Sequence, residues 1–385
     1  MGHPPEFAEW RRERPIRPVS MADGQRVWLV STHELAKTVL ADGRFSSNVF
    51  LPGYPTDGVA GHVGGEFSRS MIRMDAPDHT RLRRLVTREF MPKRIEHLKP
   101  TIREVVDSSL DAMEENGSPV DFVSTFAAPV PGIVIDRMLG VPEEDHAFFQ
   151  DSANALVTRE IAPAASLEVQ RELGDYIRQL VVEKQRKPEG EDLFTKLVHH
   201  RDENGEGLTT EELASFGVLL IAGGHDTTMN QLSLSMLTLL KEPALRKRLE
   251  LDPSQWPRAV NELLRFWAIV RSGPRRVATE DVEVGGQMIR RGEGVVVSIW
   301  SANHDETVFP APGTVDIERG GPPHVAFGFG VHQCIGQSVA RLELTIALPA
   351  VLQRFPTISL AREPRDEDFR RDMSIYGLYE LEVMW

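Results

Sequence analysis

Sulfhydryl chemistry is nearly absent from this chain. Cys334 is the only cysteine in 385 residues, so no internal disulfide can form. That suits a reducing compartment, and a cytoplasmic location is expected. No apolar run reaches the ~20 residues needed to cross a bilayer, and the first residues, Met1-Gly2-His3-Pro4-Pro5-Glu6, carry no apolar signal core. No membrane association is expected. Basic charge is in deficit: 44 Lys and Arg stand against 57 Asp and Glu, a net charge of −13. General nucleic-acid binding is therefore excluded. Internal repeats and low-complexity tracts are also missing. What is present is ordinary globular material, 41% hydrophobic and 26% charged, enough for a substantial core. The breaks between helical segments are too short for linkers, so one domain over residues 1–385 is expected.

The lone cysteine lies in Phe327-Gly328-Phe329-Gly330-Val331-His332-Gln333-Cys334-Ile335-Gly336. Its three glycines let the backbone turn sharply and approach a flat ligand closely. Beyond it, Ile335, Val339, Leu342 and Ile346 recur at helical spacing. This predicts Cys334 at or near a helix N-terminus, where the dipole and open N–H groups favour a thiolate. Such a thiolate is suited to axial ligation of haem iron. Two other readings fit a lone cysteine: a small inert core residue, or a reactive nucleophile without a legible Cys-His relay.

Taken in order, residues 27–30 read as a strand and 33–40 as a short helix. Residues 50–67 are rich in Gly and Pro and read as a loop. Asp75-Ala76-Pro77-Asp78-His79 opens a helix, capped by Asp75 or Asp78 with Pro77 in its first turn. His79 and Arg83 share a face of it, either gripping carboxylates or simply solvated. Helical patterns continue to about residue 186, with loops at 187–190 and 202–207. Thr209-Thr210-Glu211-Glu212 has capping-box spacing and opens a long apolar helix to about residue 240. Its centre reads Ala222-Gly223-Gly224-His225-Asp226-Thr227-Thr228. Adjacent glycines cost about 1 kcal/mol each relative to Ala, so a packed flat ligand or a local widening should offset them. Asp226 and Thr227 need partners there, within a kinked core helix or at a ligand. Glu262 and Arg265 are spaced to pair on a helix. Pro349 is expected to kink or end the helix after the cysteine, and residues 372–378 look like a hairpin tip.

The run Phe327-x-x-Gly330-x-x-x-Cys334-x-Gly336 closely resembles the haem-binding signature of cytochrome P450 enzymes, and the other motifs follow in that family's order over roughly residues 25–380. The resemblance implies a soluble bacterial, actinobacterial-type haem-thiolate enzyme. Its fold would be mainly α with a small β region, a triangular prism with b-type haem (iron protoporphyrin IX) between the long central helix and the cysteine helix. Cys334 would hold the iron, with Phe327 and Gly328 in the haem-binding loop. His79, Arg83, Arg276 and His332 would hold the propionates. Asp226 would be the acid and Thr227 the alcohol of oxygen activation. Glu262, Arg265 and Arg319 would form a structural triad. Two departures stand out: the first proline after Phe266 is Pro274 rather than one near Ile269, and Glu306 replaces the usual proline after Asn303-His304-Asp305.

The implied activity is insertion of one oxygen atom from O2 into a small organic substrate, by hydroxylation or epoxidation, in secondary metabolism or xenobiotic oxidation. Electrons would come from NAD(P)H through a reductase and a ferredoxin to a monomeric enzyme. Arg81, Arg84, Arg88, Lys93 and Arg94 form a local basic cluster able to steer an acidic ferredoxin. Pocket candidates are the loop 50–67, Leu219, Ala222, Gly223, the stretch 268–272 with Ile269 and Val270, and Ile375 with Tyr376. Oxidative coupling, peroxide-driven oxidation, a non-catalytic haem sensor and a cysteine nucleophile are the competing readings.

Overall fold

The computed structural model describes residues 5–56, 70–157, 163–187, 189–271, 273–371 and 373–385. The expected N-terminal residues 1–4, the loop residues 57–67, Pro188, Ser272 and Asp372 lie outside them. The elements used below are α1 (Pro5–Glu13), β1 (Ile16–Ser20), β2 (Arg26–Val30), α2 (His33–Ala41), β3 (Phe45–Ser46), α3 (Asp78–Thr87), α4 (Lys99–Asn116), α5 (Pro129–Leu139), α6 (Pro163–Arg186), α7 (Thr210–Lys241), α8 (Trp256–Trp267), β4 (Arg275–Ala278), β5 (Gly294–Val297), α9 (Ile299–Asn303) and α10 (Gln337–Arg354). They fall into two compact units, each assembled from separated stretches: Met1–Val63, Met71–Thr80 and Arg258–Ile335 in one, and Gly64–Ser70, Arg81–Pro257 and Gly336–Trp385 in the other.

The first unit is built on a five-stranded sheet of order β1-β2-β5-β4-β3. β2 and β5 are parallel, with Val27 opposite Gly294 and Val30 opposite Val297, while the other pairs are antiparallel. Trp28 Nε1 donates to Glu293 Oε2 at 2.8 Å, 265 residues along the chain. The buried faces of α2 (Ala36, Val39, Leu40) and the sheet (Ile16, Val30, Val295, Val297) share one core. Asp305 accepts from the first N–H of α2 at 3.0 Å, supplying the cap that Thr32 does not.

A buried ionic triad pins the far end of this unit. Arg265 Nε and Nη2 each donate to Glu262 at 2.8 Å, and Arg319 Nε donates to Glu262 Oε1 at 3.0 Å. Arg265 also donates to the carbonyls of Asn303, Pro312 and Thr314. Glu306 accepts from Arg11 at 2.9 and 2.7 Å and so fastens α1.

The second unit is mainly helical, with a three-stranded antiparallel sheet of Val120–Asp121, Glu382–Met384 and Ser359–Leu360, and is centred on α7. The capping box forms as expected: Glu212 N donates to Thr209 Oγ1 at 3.2 Å, and Thr209 N to Glu212 Oε2 at 2.9 Å. Polar α7 residues such as Asn230, Gln231, Ser233 and Ser235 are buried with its apolar ones, so the helix is enclosed through most of its length. Of the two alternatives at the paired glycines, a local widening does not occur, since the helix is regular α through both. Gly224 is explained by packing, because a Cβ there would lie 2.7 Å from Ile135 Cδ1 on α5. Gly223 would meet no atom within 4 Å.

Pro349 lies late in α10 and does not end it, since the helix runs on to Arg354. The Asp75 side chain does not cap α3, which starts at Asp78 after Pro77: its carboxylate accepts from Ser46 Oγ and Ser47 N, while its carbonyl accepts from His79 N at 2.9 Å.

Glu343 on α10 is fully enclosed, and burial pushes its carboxyl from 4.5 up to about 8. The folded protein keeps that proton while the unfolded chain loses it above the ordinary value. Stability from this group is therefore present at low pH, falls from about 4.5 to about 8, and is flat beyond. Glu343→Gln should remove this slope and gain ~1–3 kcal/mol at the alkaline end. Denaturation midpoints of both proteins across that window would check it, and parallel pH profiles would contradict it.

Candidate functional site

In the first unit the cysteine loop is held by its own backbone. Gly328 N donates to the Val325 carbonyl at 2.8 Å, Gln333 N to Gly330 at 3.0 Å, and Cys334 N to Phe327 at 2.9 Å. Asn303 Oδ1 accepts from Val325 N at 2.8 Å and ties the loop base to α9. Gly328 and Gly330 adopt φ of +72° and +74°, the left-handed region in which glycine carries no Cβ penalty. At Gly330 a Cβ would also lie 2.6 Å from the Leu40 carbonyl, so the loop seats directly on the end of α2. Lys37 Nζ stands 4.7 Å from the centre of the Phe329 ring. Cys334 is an exposed, unbridged thiol. It follows a 3-10 turn, Gly330–His332, and α10 begins at Gln337 with Gly336 as its N-cap. The sequence expectation placed it near a helix start, and it lies two residues before the cap.

Basic groups gather in the same unit. The His79 and His332 rings lie 4.1 Å apart between centres, and His79 is buried. Arg276 on β4 is buried, and its Nη1 donates to the Arg275 carbonyl at 2.8 Å. Burial holds its pKa below the ordinary value, with Tyr54 and Asp75 opposing that and Arg73 adding to it. A buried guanidinium so placed is stabilised by a further anion. The donor set therefore fits haem: a thiol on an open glycine loop for iron, and a buried guanidinium with imidazoles for carboxylates. Ile269 is buried and Val270 half-buried. The chain leaves α8 through Ala268, at φ +39°, in the stretch that has no proline before Pro274.

In the second unit Arg83 is half-buried on α3, one turn after His79. On α7, Leu219 is buried, Ala222 and Thr227 are half-buried and Gly223 is exposed, so one strip of an otherwise enclosed helix is open. Thr227 Oγ1 donates to the Gly223 carbonyl at 2.7 Å. Asp226 is buried and raised above the usual carboxylate range by burial, against the pull of Arg370 and Asn230. Arg370 Nη1 donates to its Oδ1 at 2.5 Å and Asn230 Nδ2 at 2.8 Å. Sequence reasoning missed both partners; Arg370 lies 144 residues away with no local signal. His225 turns to the other side of α7, into a small cavity shared with Gly132, Asp136 and Gln150. Burial and Arg370 push it down to about 4, while burial pushes Asp136 up to about 7. Ile375 and Tyr376 are half-buried on a turn closed by the Phe369–Leu378 bridge.

The expected basic cluster is partly spent within this unit. Arg81 pairs with Glu212, and Arg84 with Asp202 at 2.7 Å and Glu206 at 3.8 Å. Arg88, Lys93 and Arg94 are exposed. Among the described residues, no helix is long and apolar enough to cross a membrane.

The profile of the family described as Cytochrome P450 matches residues 164–252 and 257–375. "Cytochrome P450-SU2" of Streptomyces griseolus is 40% identical over 99% of this chain and 93% of its own length. "Vitamin D3 dihydroxylase" of the same organism is 43% identical over 96% and 91%. The crystal structure of cytochrome P450 MoxA from Nonomuraea recticatena superposes with a TM-score of 0.92 at 40% identity, covering 100% of this chain and 96% of that one.

Proposed function

This chain belongs to the cytochrome P450 family, and from that premise we propose that Cys334 is the thiolate ligand of its haem iron. The protein has the P450 fold and is a haem-dependent monooxygenase that inserts one oxygen atom from O2 into a small organic substrate. The observation that carries the assignment of Cys334 is its exposed thiol on a loop where Gly328 and Gly330 hold positive φ and Gly330 has no room for a Cβ. Roles for the remaining residues follow from the same reading. His79, Arg83, Arg276 and His332 hold the propionates, Phe327 and Gly328 flank the haem, and Glu262, Arg265 and Arg319 are structural. Family matches that run the length of the chain support a single domain over residues 1–385.

When bound, the haem supplies reductive activation of O2 and delivery of one oxygen atom to the substrate, the other leaving as water. Two electrons and two protons are consumed for each product formed. Asp226 carries protons: burial favours its neutral form and raises it above the usual carboxylate range, while Arg370 and Asn230 oppose that rise. The Thr227 hydroxyl rests on the Gly223 carbonyl and turns from it to bind the reacting oxygen. Leu219, Ala222, Gly223, Ile269, Val270, Ile375 and Tyr376 contact substrate. NAD(P)H supplies electrons through a ferredoxin reductase and an acidic ferredoxin, which docks at Arg88, Lys93 and Arg94 in the cytoplasm on a monomeric enzyme. The relative named vitamin D3 dihydroxylase supports hydroxylation over the coupling, peroxide-driven and sensor readings.

Thr227→Ala tests this account. With NAD(P)H, reductase and ferredoxin, cofactor oxidation should continue while product per NAD(P)H falls about tenfold and hydrogen peroxide takes up the difference. Full coupling in the variant would remove Thr227 from the mechanism.

A further inference from the structure

The acid on α7 and the turn bearing Ile375 and Tyr376 are joined by one buried ion pair. Arg370 Nη1 reaches Asp226 Oδ1 at 2.5 Å, with the two side chains 3% and 8% exposed. Asn230, one turn further along α7, donates to the same oxygen at 2.8 Å and to the Asp226 carbonyl at 2.7 Å. Asn230 also touches the opposite arm of the turn. Its Oδ1 lies only 1.7 Å from where a Cβ at Gly377 would stand, so no side chain fits there. The two anchored residues face each other, since Arg370 N donates to the Gly377 carbonyl at 3.0 Å. Between them Tyr376 stacks on Phe369, ring centres 6.0 Å apart.

The base of this turn has its own fastening. Arg362 pairs with Asp368, with Glu380 at 2.7 Å and with Glu382 at 3.2 Å. A second, buried clip onto α7 is not required to hold it, and apolar residues of similar volume serve as well in such places. We infer that Arg370 is a positioning residue that latches the substrate-facing turn to Asp226, so that the place of the turn and the proton on the acid are coupled. This inference rests on the reading of Asp226 as the proton-carrying acid.

The coupling is electrostatic. A substrate that displaces the turn draws Arg370 away from Asp226. The buried carboxylate, deprived of its cation, then takes up a proton. By reciprocity, protonating Asp226 loosens the turn. Other groups facing this pair include Asn230 on α7, the Tyr379 ring 5.5 Å from the Arg370 guanidinium, His225, whose basicity Arg370 also lowers, and Asp136 on α5 across the cavity that His225 lines.

Hydrogen exchange on the holoenzyme tests the latch without turnover. Asp226→Asn keeps the acid's shape and removes its charge. The amides of Arg370 and Tyr379 should then exchange about tenfold faster, as in Arg370→Gln, and the double variant should add nothing more. Arg370→Lys should recover part of the protection. The same variants should weaken 4-phenylimidazole binding, read from the Soret band, by about three- to tenfold. In turnover, Arg370→Gln should move the acidic limb of the kcat–pH profile upward, and Arg370→Lys should move it back. Unchanged exchange in Asp226→Asn, or additive effects in the double variant, would overturn the latch. A wild-type carbon monoxide complex without a thiolate-type spectrum would instead remove the enzymatic reading and leave the exchange result standing.

Discussion

Cys334→Ala should eliminate the red-shifted Soret band of the reduced carbon monoxide complex and lower monooxygenase turnover by about a thousandfold or more. The thiolate is the proposed protein ligand to iron, and alanine offers no lone pair in its place. The same substitution should leave the haem-free fold almost untouched. Cys334 is exposed, and the loop is held by main-chain bonds from Gly328, Gln333 and Cys334 itself, none of which needs the sulfur. The change in stability of the apoprotein should be within ~0.5 kcal/mol. Paired measurements of spectrum and apoprotein denaturation separate this from a packing role. A variant that kept the thiolate spectrum would end the assignment. One that lost stability as well would mark Cys334 as part of the core.

Arg265→Ala should have the opposite signature. Arg265 is 1% exposed and is shared among Glu262 and three carbonyls. Its loss takes a donor from each of the three carbonyls, of which Thr314 keeps Arg319 Nη2 at 3.0 Å, and reduces the partners of a buried carboxylate. Removing one member of a buried ion pair costs ~3–5 kcal/mol, set against ~5–15 kcal/mol for a whole fold. Little folded protein should accumulate, and what does should denature well below wild type while retaining the thiolate spectrum in its haem-bound fraction. Arg265→Lys keeps the charge but not the planar fork, so it should fall between the two. Denaturant midpoints check this, and an alanine variant within ~1 kcal/mol of wild type would contradict it.

How much of this was legible beforehand depended on sequence distance. The cysteine loop, the capping box at Thr209 and Glu212, and the Glu262–Arg265 spacing are contained in short windows, so local chemistry announced them. Arg370 as partner of Asp226, Ile135 as the reason for Gly224, and Asp305 as the cap of α2 depend on which segments meet, and no window contains both halves. The basic cluster shows the same limit from the other side. Five cations close in sequence looked like a docking patch, yet two of them are paired to acids on distant loops and helices. Asp75 is a milder case, because a residue well suited to capping was claimed by Ser46 and Ser47 instead.

The parallel pairing of β2 with β5 also bears on how the protein is made. A ribosome adds ~5–20 residues each second, and the partner of Trp28 lies 265 residues downstream. The β1–β2 hairpin therefore waits on the order of ten to fifty seconds with Val27, Leu29 and Val30 presenting an unpaired edge. Such an edge invites pairing with other nascent chains. Slower synthesis lengthens that interval, and with it the time in which residues 26–30 are open to pairing with another chain.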